Sequence, residues 1–317
     1  MTEPVCMERL DFDCAALMTQ HPPLLRHPHK RLAFDVCQAA GYRPDGVLRY
    51  SRWRPGPLPE TLPKDECLVQ LNDGFYDYTT TTETAWHVNF ADPRLFVAYG
   101  SGLLAQDEIQ VLEHPILGAL REGLLAKRID AVTEDATGPT PALIQNAQRA
   151  CAIDTAPSER APHGLYGNRF QAASAETVQA SLTVFAKPAR TNLIAIAAPV
   201  GSGLYSRPQV TRILTTAFTG FRAARLVSAP SMEIHTGFWG CGAFGGNRPL
   251  MVLLQLLAAQ LAQVPQFIFH LGSPAERPAF DEGRQVLRTL SASTTSVDSL
   301  LNKIVDLGFR WGFSDGN

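Results

Sequence analysis

The chain has 317 residues, 45% of them hydrophobic and 18% charged, with a formal charge of −2. That length allows a large buried core, while near-neutrality excludes the broad basic face that nucleic-acid binding ordinarily needs. The acidic start of the chain lacks an apolar targeting segment, and the longest apolar run, 250–261, is too short to span a bilayer. We therefore expect no nucleic-acid partner and no membrane partner. The six cysteines are scattered without C-x-x-C spacing, so neither a zinc site nor a disulfide framework is expected. A reducing compartment such as the cytoplasm fits them. His27 and His29 lie in a proline-rich stretch and read as solvated loop histidines.

Residues 1–65 read as an irregular, mostly helical preface. Helical character at 14–18 and 31–41 is interrupted by His21-Pro22-Pro23 and by the proline-rich stretch 53–63. A strand-like segment at 86–90 leads into Asp92-Pro93. After Gly100-Ser101-Gly102 a helix begins near Leu103 and continues, broken at Pro115, toward Lys127. Leu117, Leu120 and Leu124 recur there at helical spacing, which points to core packing. The stretch 135–162 is rich in Thr, Pro and Ala, with a strand or short helix at 142–150. Residues 182–186 and 193–198 read as strands, the second stopped by Pro199. A helix over 208–224 carries Pro208 near its start and Val210, Ile213, Leu214, Ala217, Phe218 and Phe221 on one side. A glycine loop follows, then a helix at 249–261 that is apolar nearly all round and hence buried, a strand at 266–270 and a last helix at 297–307. This order argues for an α/β sandwich.

The glycine loop, 236–247, reads T-G-F-W-G-C-G-A-F-G-G-N and holds five glycines. Glycines just before a helix let the backbone approach a bulky ligand with bare N–H groups, where the helix dipole favours negative charge. The aromatic rings offer flat faces for a base or a ribose. The loop is thus a candidate nucleotide diphosphate site. Gly240, Gly242 and Gly245 also form a G-x-G-x-x-G match, but a dinucleotide fingerprint opens a βαβ unit and has an acidic residue about 20 positions on. No Asp or Glu occurs between Asn247 and Glu276, so a nicotinamide dehydrogenase is set aside. A glycine turn that merely packs tightly is the plainer alternative.

A second constellation is Gln106-Asp107-Glu108, at the start of the helix after Gly100-Ser101-Gly102. Acidic residues favour a helix's first turn, which alone would explain the pair. Together, however, the two constellations resemble the poly(ADP-ribose) glycohydrolase branch of the macrodomain family. That branch shows V-D-F-A-N, a G-G-G loop, Q-E-E-I, and later T-G-N-W-G-C-G-A-F-G-G-D. This chain reads Val88-Asn89-Phe90-Ala91-Asp92, then Gln106-Asp107-Glu108-Ile109, and later the loop quoted above. The resemblance covers roughly 65–290. It implies an α/β three-layer macrodomain-like sandwich with a mixed central sheet and an N-terminal mostly helical extension. Residues 1–65 would then be an accessory segment and 66–317 the macrodomain.

Carried over by position, Glu108 matches the family's catalytic glutamate, Asp107 the glutamate before it, and Asp92 a ligand-contacting asparagine. Gly240, Cys241, Gly242, Ala243, Phe244, Gly245 and Gly246 would bind the diphosphate, with Phe244 against the ribose. Tyr166 would stack on adenine, with Phe170 in reserve. Phe96-Val97-Ala98 stands where the family has G-G-G, and Gly100-Ser101-Gly102 would partly replace it. The resemblance implies a metal-free hydrolase that needs no cofactor and whose partners are ADP-ribose and ADP-ribosylated protein. Some bacterial effector macrodomains similar to this branch remove single ADP-ribose units from arginine on ubiquitin, and the altered loop is compatible with that acceptor. Such a protein would act in its own cytoplasm or be delivered to a host cell. A polymer-cleaving glycohydrolase and a non-catalytic ADP-ribose reader are the alternatives.

Overall fold

The computed structural model describes residues 3–64, 67–76, 78 and 84–316. The chain opens with β1 (Val5–Asp13), α1 (Cys14–Gln20), α2 (Pro28–Ala39) and β2 (Val47–Arg54). Then come β3 (Leu68–Asn72), β4 (Ala85–Ala91), α3 (Gln106–Glu113) and α4 (Ile116–Ala126). A small hairpin, β5 (Glu134–Asp135) and β6 (Gly138–Pro139), precedes β7 (Ala142–Ile153), α5 (Arg169–Ala172), α6 (Ala175–Ala180) and β8 (Leu182–Ala197). The last third holds α7 (Arg207–Leu226), β9 (Glu233–Thr236), α8 (Arg248–Leu261), β10 (Gln266–His270), α9 (Arg277–Ser291) and α10 (Val297–Asp306).

Eight strands form one mixed sheet in the order β1-β2-β7-β8-β4-β9-β10-β3. Pairing is antiparallel from β1 through β8 and parallel from β8 through β3. Helices cover both faces. Trp86, Val88, Ile194 and Ile196 face the layer of α7, α8 and α10, whereas Ala91, Leu193 and Ala195 face α3 and α4. Alternate residues of β4 and β8 thus feed two separate cores, which is why both strands read as continuous apolar runs. The helix expected to be buried is so: from Leu250 to Leu261 only Gln260 is more than slightly exposed. Each of its leucines contributes about 1.5–3 kcal/mol by leaving water.

Three local expectations change. The first segment contains the two helices foreseen there, but β1 and β2 add two strands to the sheet through β7, so the sheet continues across residue 65. The two strands expected at 182–186 and 193–198 are one, β8. Pro188 is accommodated where the β7–β8 register shifts between Arg149 and Cys151, because a bulge needs no donor from that residue. Strand β9 and helix α9 were not foreseen. Among the described residues no helix is long and apolar enough to cross a membrane.

Candidate active site

Strand β4 pairs with β8 from Trp86 to Ala91 but with β9 only from Ala85 to His87. Beyond that point the sheet opens at the C-terminal ends of parallel strands, the usual place for a ligand crevice in such sheets. The freed backbone of β4 is satisfied by side chains instead. Gln106 accepts from the Phe90 amide at 2.8 Å and donates to the Val88 carbonyl at 3.1 Å, and the Tyr76 hydroxyl donates to the same carbonyl at 2.9 Å. Gln106 thereby pins the first turn of α3 to the edge of the opening.

That turn carries the two carboxylates. Asp107 and Glu108 are 6% and 4% exposed, and successive helical positions send them in different directions. Glu108 turns back to accept from the Ala105 amide at 3.0 Å, half of a capping box. Asp107 turns toward β4 and accepts from the Asn89 side-chain amide at 2.9 Å, while the same Asn89 nitrogen also reaches Gln110 at 2.9 Å. Burial, then the charge of Glu108, pushes Asp107 up to about 8, against the opposing pull of the Asn89 bond and Lys30. Burial also raises Glu108, with Lys30 the main opposing influence.

Lys30, on α2, is a residue that sequence reasoning missed. It is 2% exposed, its Nζ lies 3.5 Å from the Glu108 carbonyl oxygen and 5.4 Å from the centre of the Phe170 ring. Burial lowers its pKa to about 8, while Glu108 and Asp107 pull the other way. The preface thus supplies a buried cation beneath the carboxylate pair. Nothing local marks it, since its partners lie about 78 positions away. Asn89 was legible in outline: it sits in the quoted 88–92 motif, at the position where the family has an aspartate.

The glycine loop leaves β9 and enters α8 on the opposite wall. Buried Gln255 fixes its start by accepting from Thr236 at 2.6 Å and donating to the Gly237 carbonyl at 3.0 Å. The Gly246 amide donates to the Gly240 carbonyl at 2.9 Å and closes the loop. Gly240 has φ +74°, and a Cβ there would lie 2.5 Å from that of Ala198, so no other residue fits. Among the described residues, the amides of Gly242, Ala243 and Phe244 make no hydrogen bond to the protein. Asn247 caps α8, accepting from the Leu250 amide at 3.1 Å. Free backbone amides in a loop that leads into a helix can cradle an anion. Cys241 offers no free donor: its amide donates to the Phe238 carbonyl at 3.1 Å, its side chain is buried, and burial pushes the thiol up to about 12.

Tyr166 joins the two walls. Burial raises its hydroxyl to about 12, with Asp315 and Glu108 as neighbouring negative charges and a backbone hydrogen bond to Gln106 opposing them. Its ring lies nearly parallel to Phe75, 6.5 Å between centres. The Asp315 carboxylate in turn lies 3.0 Å from where a Gly242 Cβ would stand. Through Asp315, Tyr166 links the Glu108 turn to the glycine loop at the opening of the sheet. Asp92 sits at its rim, partly exposed, accepting from the Arg94 amide at 2.8 Å with the Arg94 guanidinium 3.8 Å away.

Other expected residues take different parts. Trp239 is fully buried and donates to the Ile196 carbonyl at 3.0 Å, so it anchors the loop and offers no face to a ligand. Phe170 is buried beneath His27, His29 and Lys30 and cannot stack on a base. Gly100 and Gly102 do not stand in for a G-G-G loop: side chains there would strike the Leu24 carbonyl and Gln171, because both glycines admit neighbouring protein segments. Phe96 is fully buried with φ +55°, a left-handed conformation that favours glycine. Among the described residues no three His, Cys, Asp or Glu side chains group as metal ligands.

Residues 160–276 match the family model described as "Poly (ADP-ribose) glycohydrolase (PARG), Macro domain fold". The chain is 43% identical over 44 residues to "Poly(ADP-ribose) glycohydrolase 1" of Caenorhabditis elegans, which is 14% of this chain and 6% of that protein. It is 28% identical over 96 residues to "Poly(ADP-ribose) glycohydrolase 2" of the same organism, 30% of this chain and 20% of that protein. The matched stretches thus span well under two thirds of those relatives. Among solved structures, poly(ADP-ribose) glycohydrolase from Thermomonospora curvata superposes with TM-score 0.52 at 13% identity, covering 81% of this chain and all 100% of that one. The same protein bound to the inhibitor ADP-HPD gives 0.51 at 14% identity over 81% and 99% of the two chains. At this identity the likeness is one of fold, and the mixed-sheet sandwich expected from the sequence is the fold found.

Proposed function

We propose that this chain, a member of the poly(ADP-ribose) glycohydrolase-like macrodomain family, binds ADP-ribose and hydrolyses its anomeric bond to a modified protein. The observation that carries this reading is the buried Asp107–Glu108 pair, linked through Tyr166 and Asp315 to the loop that holds the unbonded amides of Gly242, Ala243 and Phe244. A diphosphate on the cradle leaves the distal ribose to extend toward α3. Phe244 and Tyr166 border the ribose and the base.

Cleavage at the anomeric carbon needs a proton on the leaving atom and a water to trap an oxocarbenium-like centre. Two adjacent buried carboxylates resist carrying two negative charges, so the pair retains a proton near neutral pH. Asn89 orients Asp107, and Lys30 keeps the second charge tolerable in the interior. Glu108 gives the proton to the departing group and then takes one from the attacking water. For the acceptor we favour mono-ADP-ribosyl arginine, a ubiquitin-type target included. Asp92 at the rim already lies near a guanidinium, that of Arg94, and a carboxylate there can hold an arginine leaving group by paired hydrogen bonds. Polymer cleavage is the second reading, favoured by the likeness to poly(ADP-ribose) glycohydrolases. Incubating the full chain with proteins ADP-ribosylated through arginine, serine, glutamate or a polymer, and measuring free ADP-ribose, separates the two. Release from none of them would leave at most a binding module.

A further inference from the structure

The chain after α10 does not trail into solvent but crosses the crevice. Its anchor is Trp311, stacked on Tyr205 with ring centres 4.1 Å apart and 17° between planes, and its amide donates to the Gly203 carbonyl at 2.9 Å. Arg310 accepts from the Asn247 side chain at 3.0 Å, so the strap passes directly over the start of α8. Gly312 then donates to the Gly245 carbonyl at 2.8 Å and Asp315 to the Gly242 carbonyl at 3.4 Å. On the far side, Asn168 donates to the Gly316 carbonyl at 3.0 Å, two residues beyond Tyr166. The backbone over 310–316 thus spans from the glycine loop to the Tyr166 turn. Phe313 at its crest is 97% exposed, an unusual place for a large apolar side chain.

We infer that residues 310–316 are an autoinhibitory strap, in which the Asp315 carboxylate occupies the mouth of the diphosphate cradle and must leave before a nucleotide diphosphate binds. This rests on the ADP-ribose reading given above. Three features support competition over cooperation. The strap's bonds to the loop use the carbonyls of Gly242 and Gly245, leaving the loop amides for an incoming anion. The carboxylate lies 3.0 Å from the Cβ position of Gly242, on the side where the missing side chain lets a ligand approach. It also carries the same charge as the diphosphate, so the two would repel if both were present. The Trp311 stack and the bonds of Asn247, Gly312, Asp315 and Asn168 all join the strap through its own backbone or one ring. A ligand that needs the open state binds with an apparent affinity reduced by the open fraction, and freeing the strap restores it.

The test is calorimetric titration of ADP-ribose into the full chain and two variants, Asp315→Asn and Trp311→Ala. Asp315→Asn alters an exposed side chain and keeps its shape; Trp311→Ala releases the anchor outside the cradle. Both are expected to tighten binding, roughly threefold to tenfold when the open fraction is about a tenth to a third. In parallel, ADP-ribose should speed hydrogen exchange at the Gly312 and Asp315 amides. Equal or weaker affinity in both variants, or slower exchange on adding ligand, would overturn the strap and make 310–316 a bystander or part of the clamp. Absence of binding in all three proteins would instead remove the ADP-ribose reading, and the strap with it.

Discussion

The two walls of the crevice are built in opposite ways. The glycine-loop wall is almost wholly local: strand, loop and helix follow one another from Glu233 to Leu261, and the buried Gln255 that sets the loop lies 19 residues from Thr236, to which it bonds. The carboxylate wall is assembled from afar. Asp107 and Glu108 depend on Asn89 of β4 and on Lys30 of α2. A binding surface made of backbone can be written as a motif, whereas the protonation state of a catalytic pair is set by whichever charges the fold brings beneath it.

If that division is correct, disturbing the far-sourced wall should change turnover and leave binding alone, and the reverse should hold for the loop. The largest effect is expected for Asn89→Leu, which removes the donor shared by Asp107 and Gln110. We expect kcat to fall about 100-fold, the scale of a misplaced catalytic group, with ADP-ribose affinity little changed. Steady-state kinetics beside calorimetry would check it, and a loss seen only in affinity would contradict the role given to Asn89. Between the walls, Tyr166→Ala should weaken ADP-ribose by about 1–3 kcal/mol, the scale of one base stacked on an aromatic ring, and leave the pH profile unaltered. Wild-type affinity in that variant would remove Tyr166 from the site.

Lys30→Met sharpens the comparison through pH. Lys30 holds both carboxylates below the values burial alone would give. Without it their pKa values rise, so the proton needed by the leaving group persists to higher pH. The basic limb of the kcat profile should therefore move upward by about one unit, about 1.4 kcal/mol. A downward shift would reverse the sign assigned to Lys30. The smallest effect concerns stability. Asp107 has a folded pKa raised to about 8, so between about 4 and 8 the folded state holds more protons than the unfolded chain and stability declines as pH rises. Asp107→Asn lacks that decline. Its melting temperature should exceed that of the parent at pH 9 and show no such gain at pH 4.

Much of the fold was legible because long apolar periodic runs announced α7, α8, β4 and β10. Strand β9 escaped because it has only four residues and abuts the glycine loop. β1 and β2 escaped because charged residues interrupt their alternation, as in Val5–Asp13 and Val47–Arg54. The glycine loop and Glu108 were singled out by motif. Trp239 and Phe170 were misjudged because an aromatic ring near a candidate site can serve the core equally well, and only burial decides between the two uses. Gly100 and Gly102 show the same ambiguity for small residues, since backbone approached by another protein segment leaves the same trace as backbone approached by a ligand.

On this reading Glu108 performs the chemistry on a ligand held by the opposite wall. Replacing Glu108 by Gln keeps the side chain's shape and removes its titrating proton. Single-turnover release of ADP-ribose from arginine-modified protein, measured beside ADP-ribose calorimetry, tests this directly. Release is expected to be abolished while affinity stays within about tenfold, about 1.4 kcal/mol. Release at the parent rate would contradict it.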